Sequence, residues 1–303
     1  MPGSPTALDS DIDGFHDRIY FGDSDGGVWR LEFPAPNDAT HTGADAGTLT
    51  RIFDFRGDFA DRQRFYYRPV TVPALFGGSG YTWAIAMGTG DRPNLNREDG
   101  EIDRFYFLLD GGQTTSKDAT SLVAVNYDEL DGDFDCSSSA LNPADGSYGW
   151  YLSLRENEKV MFDATVVNGH VLFPTFDPSD DLAAHNVPDQ CGTGGGGSAG
   201  DADGDGVSDD IDQCPGTPED MEVDAVGCAT VSCHASGLGR FYDLWFECGL
   251  GEYTETNDII TGSETYTIGG TTYVSFTGSN FTPPVTEEFP NATGHVITNW
   301  RQE

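Results

Sequence analysis

The residues of this chain best suited to chemistry are its aspartates. The run Asp201-Ala202-Asp203-Gly204-Asp205-Gly206-Val207-Ser208-Asp209-Asp210-Ile211-Asp212 sets Asp201, Asp203, Asp205, Asp209 and Asp212 at loop positions 1, 3, 5, 9 and 12. Gly206 falls at position 6, and the Val207 carbonyl is available at position 7. Hard oxygen donors in this order suit Ca²⁺, which takes about six to eight of them. Asp212 stands where an EF-hand has a bidentate Glu, and no amphipathic helix flanks the run, so this reads as a calcium loop outside an EF-hand. A merely solvated acidic turn would need neither the alternate spacing nor the glycine.

A second array opens the chain, Asp9-Ser10-Asp11-Ile12-Asp13-Gly14-Phe15-His16-Asp17. Asp9, Asp11, Asp13, the Phe15 carbonyl and Asp17 fill positions 1, 3, 5, 7 and 9. Position 12 is Tyr20, which brings no carboxylate, so another donor or water must complete the shell. Asp131-Gly132-Asp133-Phe134-Asp135 alternates in the same way but has Cys136 in the glycine's place, and reads as a polar loop.

Catalytic readings find less support. Gly88-Thr89-Gly90-Asp91 follows a strand pattern, but Arg92-Pro93 comes next in place of a helix, so the amide cradle of a phosphate site is missing. His16, His41, His170, His185, His234 and His295 show neither metal spacing nor a serine in a nucleophile elbow. Cys228, Cys233 and His234 have the wrong spacing for the usual haem-attachment motif. Arg56-Gly57-Asp58 spells an integrin-recognition tripeptide but reads more simply as a solvated loop. No catalytic activity is expected.

The elements that position these loops read as β. Lys+Arg 15 against Asp+Glu 51 leaves a net charge of −36, which excludes a phosphate-backbone binder of nucleic acid and disfavours an anionic membrane surface. Hydrophobic residues at 37% and aromatics at 12% are enough for a packed interior. The few lysines and many aspartates also suit a saline setting, in which self-repulsion is screened. No stretch reaches the roughly 18 apolar residues of a membrane-spanning helix. Six cysteines between Cys136 and Cys248, in Gly-, Asp- and Ser-rich sequence, read as disulfides of an exported protein. Met1-Pro2-Gly3-Ser4 does not begin a signal peptide, so the expectation is a C-terminal piece of something longer.

Short aromatic and β-branched runs separated by turn residues come in groups. The first is Arg18–Gly22, Val28–Phe33 and Arg51–Phe55; the second is Pro69–Leu75, Tyr81–Met87, Arg104–Leu109 and Leu122–Tyr127. The third is Val160–Val167, an Asn168-Gly169 turn, His170–Phe176 and Arg240–Phe246. Glu264–Ile268, Thr272–Phe276 and His295–Trp300 follow. Gly27–Leu31, Asp103–Phe107 and Gly239–Asp243 align as equivalent third strands. Four-stranded repeats of roughly 40 to 50 residues are the mark of a β-propeller, with a β-sandwich as the alternative. The expected fold class is therefore all-β: a partial propeller of about three four-stranded blades plus C-terminal strands, carrying a small calcium-binding loop insert. A partial ring leaves unpaired edges, a second sign of missing blades. The expected domains are blades over 1–191, a Gly-rich linker over 192–200, a calcium module over 201–232, and propeller completion with C-terminal strands over 233–303.

Two resemblances sharpen this. Together with Cys214-Pro215-Gly216-Thr217-Pro218, Val223-Asp224 and Gly227-Cys228, the Asp201–Cys228 segment resembles a thrombospondin type 3 repeat, also found as a linker of OmpA-type outer-membrane proteins. That resemblance implies a ring of aspartates around calcium and a Cys214–Cys228 disulfide, which would stabilise a module too small for a core. Cys136, Cys191, Cys233 and Cys248 can then pair in three ways, among them Cys136–Cys191 with Cys233–Cys248.

The acidic loop before Asp17-Arg18-Ile19-Tyr20-Phe21-Gly22-Asp23 and Gly27-Val28-Trp29-Arg30 resembles the C-terminal propeller of PilY-type proteins, tip-associated adhesins and assembly factors of type IV pili. Gly88-Thr89-Gly90-Asp91-Arg92, Arg104-Phe105-Tyr106, Gly149-Trp150-Tyr151-Leu152, Glu158-Lys159-Val160, Phe173-Pro174-Thr175-Phe176, Cys191-Gly192 and Gly239-Arg240-Phe241-Tyr242 follow in order, so the resemblance covers most of residues 4 to 250. It implies calcium in the Asp9–Asp17 loop, pilin or minor pilins as partners, a cell or abiotic surface as target, and a place outside a bacterial cell, at a pilus tip or the outer membrane. The chain departs from the family by its thrombospondin-like insert and by lacking an N-terminal adhesive domain. Two other readings stand beside it: an extracellular filament component stabilised by calcium, and a quinone-dependent oxidoreductase propeller.

Overall fold

The structure is a computed structural model that describes residues 3–33, 47–59, 63–75, 81–95, 100–126, 130, 146–178, 207–208, 210–211, 237–256, 260–268, 271–278 and 285–290. The chain divides into two units, Met1–Asp177 with Leu238–Glu303, and Pro178–Gly237.

The first unit is all-β, and its described strands form four sheets. Sheet one is a meander of β1 (Thr6–Leu8), β2 (Arg18–Gly22), β3 (Gly27–Glu32) and β4 (Thr48–Asp54). Sheet two takes β5 (Val70–Leu75), β6 (Tyr81–Gly88), β7 (Arg104–Asp110), β8 (Val123–Val125) and β9 (Gly149–Ser153) in the order β5-β6-β7-β9-β8. Sheet three is built from β10 (Lys159–Val160), β11 (Thr165–Val167), β12 (His170–Asp177), β13 (Leu238–Trp245) and β14 (Gly251–Thr256), with β10 and β11 both paired to β12. Sheet four is β15 (Ile260–Ile268), β16 (Thr271–Gly278) and β17 (Val285–Pro290). Among the described residues no helix is long and apolar enough to cross a membrane.

The alternation of side chains along a strand explains how the sheets stack. In β7 every residue is buried. Tyr106 and Leu108 join a cluster with Tyr20, Val28 and Phe53 of sheet one. Phe105, Phe107 and Leu109 join another with Val171, Phe173, Tyr242 and Leu244 of sheet three. Leu172 and Phe241, on the opposite face of sheet three, pack with Ile260, Val274 and Phe276 of sheet four. Successive sheets thus share cores face to face in chain order, a partial-propeller arrangement. The three motifs read as equivalent third strands lie on β3, β7 and β13, each third in its sheet.

Several details differ from the sequence reading, and β14 and β17 are among the strands it did not include. β1 was not expected, and the Val160–Val167 run divides into two short strands that pair with different halves of β12. Leu122–Tyr127 does not follow β7 directly: β9 takes that place, and β8 lies outside it, parallel to it. Gly149 permits this, because its φ is 127° and a Cβ there would collide with the Phe107 carbonyl oxygen across the ladder. The last described strand is Val285–Pro290. The expected His295–Trp300 strand lies outside the described residues.

The second unit leaves and rejoins the first at a single hairpin, since Asp177 and Leu238 are register partners. Inserting a long segment there leaves the eight residue pairs of β12 and β13 intact.

Candidate metal centre

The β1–β2 connection holds the first acidic array. Its base is tied by the Asp17 N–H donating to the Leu8 carbonyl at 3.1 Å, and by the Phe33 N–H donating to the Asp17 carbonyl at 2.8 Å. Above that base the chain must turn tightly. Ile12 and Gly14 have φ of 64° and 97°, and a Cβ at Gly14 would meet nothing within 4 Å, so the glycine is there for its backbone conformation and not for space.

Backbone amides orient the carboxylates. Asp9 accepts from Asp13 N at 3.1 Å and from Gly14 N at 2.7 Å. Asp11 accepts from Asp13 N at 3.2 Å, and Asp13 from Phe15 N at 2.9 Å. One carboxylate oxygen from each of Asp9, Asp11 and Asp13 then lies within 4.8 Å of the others. Local desolvation, with the charges of Asp13 and Asp17, pushes the Asp11 carboxyl up. Desolvation acts upward on Asp9 too, but the Gly14, Asp13 and Ile12 amides outweigh it and hold that carboxyl below its ordinary value. Crowded carboxylates of this kind gain most from a cation that cancels their repulsion.

Asp17 is turned elsewhere: its two oxygens accept from Ser10 N at 2.7 Å and Ser10 Oγ at 2.5 Å. It therefore closes the loop and is not part of the three-carboxylate group. Phe15 is 59% exposed, with its N–H engaged by Asp13. Tyr20 is buried and bonds to Asp110. Half-buried Asp9 with exposed Asp11 and Asp13 forms a hard oxygen donor set that fits Ca²⁺, with further ligands to come from carbonyls or water.

Of the second array, Asp201, Asp203, Asp205, Asp209 and Asp212 lie outside the described residues, as do Cys214 and Cys228. Val207 is partly exposed, and close by the Ile211 N–H donates to the Ser208 carbonyl at 2.9 Å. Cys248 is disulfide-bonded, with its partner outside the described residues.

The other sequence candidates are placed as follows. Arg56 folds back on Asp54 through two bonds of 2.8 Å, and Asp58 accepts from Ala119 N at 2.8 Å, so the Arg56-Gly57-Asp58 side chains are engaged within the fold. His170, read as lacking metal spacing and a serine partner, lies 2.6 Å from Asp243 and beside the Trp245 ring. That pair bridges two strands far apart in the chain, and no local spacing signals it.

No family model matches the chain, and no curated protein does. Among solved structures, the Pseudomonas aeruginosa PilY1 C-terminal domain aligns with a TM-score of 0.53 at 14% identity, covering 92% of this chain and 59% of that one. A subtype N10 neuraminidase-like protein of A/little yellow-shouldered bat/Guatemala aligns at a TM-score of 0.29 and 9% identity, over 86% of this chain and 48% of that one. The first likeness shows a shared fold; the second is too weak to bear on it.

Proposed function

We propose that this chain is a non-catalytic, calcium-binding part of a type IV pilus-associated protein, acting outside the cell in pilus assembly or surface attachment. The observation that carries the reading is the convergence of Asp9, Asp11 and Asp13 at the head of a propeller-like fold. The fold likeness to the PilY1 C-terminal domain supports it, as does the ordered series of PilY-type motifs in the sequence.

In this reading Asp9, Asp11 and Asp13 hold the ion, with the Phe15 carbonyl as a further donor, and bound Ca²⁺ supplies charge compensation. The protein's part is to position the carboxylates by backbone amides and to hold the loop closed through Asp17 and Ser10. Binding free energy then adds to the local stability of the loop. The Asp201–Asp212 array forms a second site on the inserted unit, and pilin or minor pilins are the partners.

Calorimetric titration with Ca²⁺ tests this. Wild-type protein is expected to bind at two classes of site. Asp11→Ala should weaken the first by about tenfold or more, and Asp203→Ala should do the same to the second. A titration with no calcium heat, or one that neither substitution alters, would overturn the reading.

A further inference from the structure

The joint between the second and third sheets encloses a carboxylate that the metal centre does not use. Asp103, just before β7, is 1% exposed, and its Oδ1 has no hydrogen-bond partner among the described residues. Main-chain bonds from three segments meet around it. The Thr89 N–H donates to the Arg104 carbonyl at 2.9 Å, the Leu154 N–H to the Asp103 carbonyl at 3.0 Å, and the Val160 N–H to the Thr89 carbonyl at 3.1 Å. The last of these ties β10 of sheet three to the turn after β6.

The charged and titratable groups around Asp103 come from every neighbouring segment. Lys159 on β10 is buried, with its ammonium donating to the Asn157 carbonyl at 2.7 Å. Arg64, before β5, pairs with Glu101 at 2.5 Å and lies 3.7 Å from Asp91. Arg104 is directed away, over the Phe59 ring and to the Ile102 carbonyl. The Tyr106 hydroxyl donates to Gln63 at 2.9 Å. The nearby cations are thus already engaged, and a carboxylate oxygen without a partner at this depth favours the protonated form.

We propose that Asp103 is a proton-binding site that makes the joint between the second and third sheets responsive to pH near neutrality. Burial pushes its carboxyl up to about 7 from an ordinary 3.8; the Thr89 hydroxyl, Lys159 and Arg64 pull it down, and Glu101 adds to the rise. Between those two values the folded chain keeps a proton that the unfolded chain has released. The contribution therefore favours folding at the lower end and is lost as pH rises through the folded value. Ionisation places a buried charge just before β7, within the joint that the Thr89–Val160 bond closes.

The test compares full-length wild type with Asp103→Asn, which mimics the protonated form. Between about pH 5 and about pH 8 the unfolding equilibrium constant of wild type should rise relative to the variant by roughly ten- to a hundredfold. Exchange of the Val160 amide, corrected for its intrinsic pH dependence, should follow the same trend in wild type only. A wild-type-to-variant ratio that stays constant over this range would overturn the proposal. If the variant does not fold, the ¹³C carboxyl shift of Asp103 in wild type decides: titration at the ordinary aspartate value rejects the site, and titration near neutrality upholds it.

Discussion

Arg240→Met is expected to destabilise the first unit by about 3–5 kcal/mol. The guanidinium is fully buried on β13, 3.5 Å from Glu158, 3.1 Å from Asp177 and 3.1 Å from Glu255. Glu158 also accepts from Thr175 at 2.5 Å and from the Tyr242 hydroxyl at 2.9 Å. Methionine fills a similar volume but takes the cation away from two buried carboxylates, and the cost lies in their uncompensated charge more than in the lost attraction. Burial already pushes the Glu158 carboxyl up, with Arg240 opposing. Removing Arg240 lets it rise further, so the folded variant holds a proton over a wider range above the unfolded value. Its stability should therefore fall more steeply than that of wild type as pH rises. Urea unfolding at about pH 5 and about pH 8 measures both effects, and adding Glu158→Gln should recover part of the loss at the higher pH. A change below about 1 kcal/mol at both pH values would mean that the cluster is not a buried unit.

The same cluster marks the limit of what could be read from the sequence. Arg30, Asp110, Asp177 and Arg240 stand among alternating apolar residues, a pattern that ordinarily means a solvated face. Here a neighbouring sheet covers the face that carries them, so these polar positions must find partners inside. Arg30 bonds Asp110 at 2.5 Å and the Gln113 carbonyl at 3.2 Å, and the Tyr20 hydroxyl completes the group. Those contacts join positions dozens of residues apart, which no local pattern encodes.

Local chemistry was more legible. Asn168 and Gly169 take φ of 47° and 90°, as the tight turn between β11 and β12 demands. The equivalence of the third strands was legible because each run sets an arginine, Arg30, Arg104 or Arg240, among aromatic and aliphatic residues. The spacing set Asp9, Asp11, Asp13 and Asp17 in one array, and the first three do converge, because in so short a loop chain geometry sets their separation. It could not show the place of Asp17, since Ser10 reads as a neutral spacer until its N–H and hydroxyl are seen to take both carboxylate oxygens. The order of the second sheet was hidden for another reason. Either Val123–Val125 or Gly149–Ser153 could have paired with β7, and the choice depends on how closely the Gly149 backbone can approach Phe107.

Phe173→Ala should cost about 3–5 kcal/mol, because it opens a cavity where two sheets share one core. The Phe173 ring is stacked on Phe105 of sheet two, with centroids 3.8 Å apart and planes 4° apart. On its other side it stacks on Tyr242 at 4.9 Å, also within 4°. Rings so placed cannot close the gap by a rotamer change, since Phe105 is also packed against Trp150, which is itself fully buried. Phe15→Ala, at an exposed ring on the metal loop, should change stability by less than about 0.5 kcal/mol and serves as the control. Tyr242 joins this stack to the ion cluster, because its hydroxyl bonds Glu158. The losses from Phe173→Ala and Arg240→Met should therefore not add: a double-mutant cycle is expected to return a coupling of about 0.5–3 kcal/mol. Strict additivity would show that the aromatic stack and the buried charges stabilise the joint independently, and that the Tyr242–Glu158 bond carries no coupling between them.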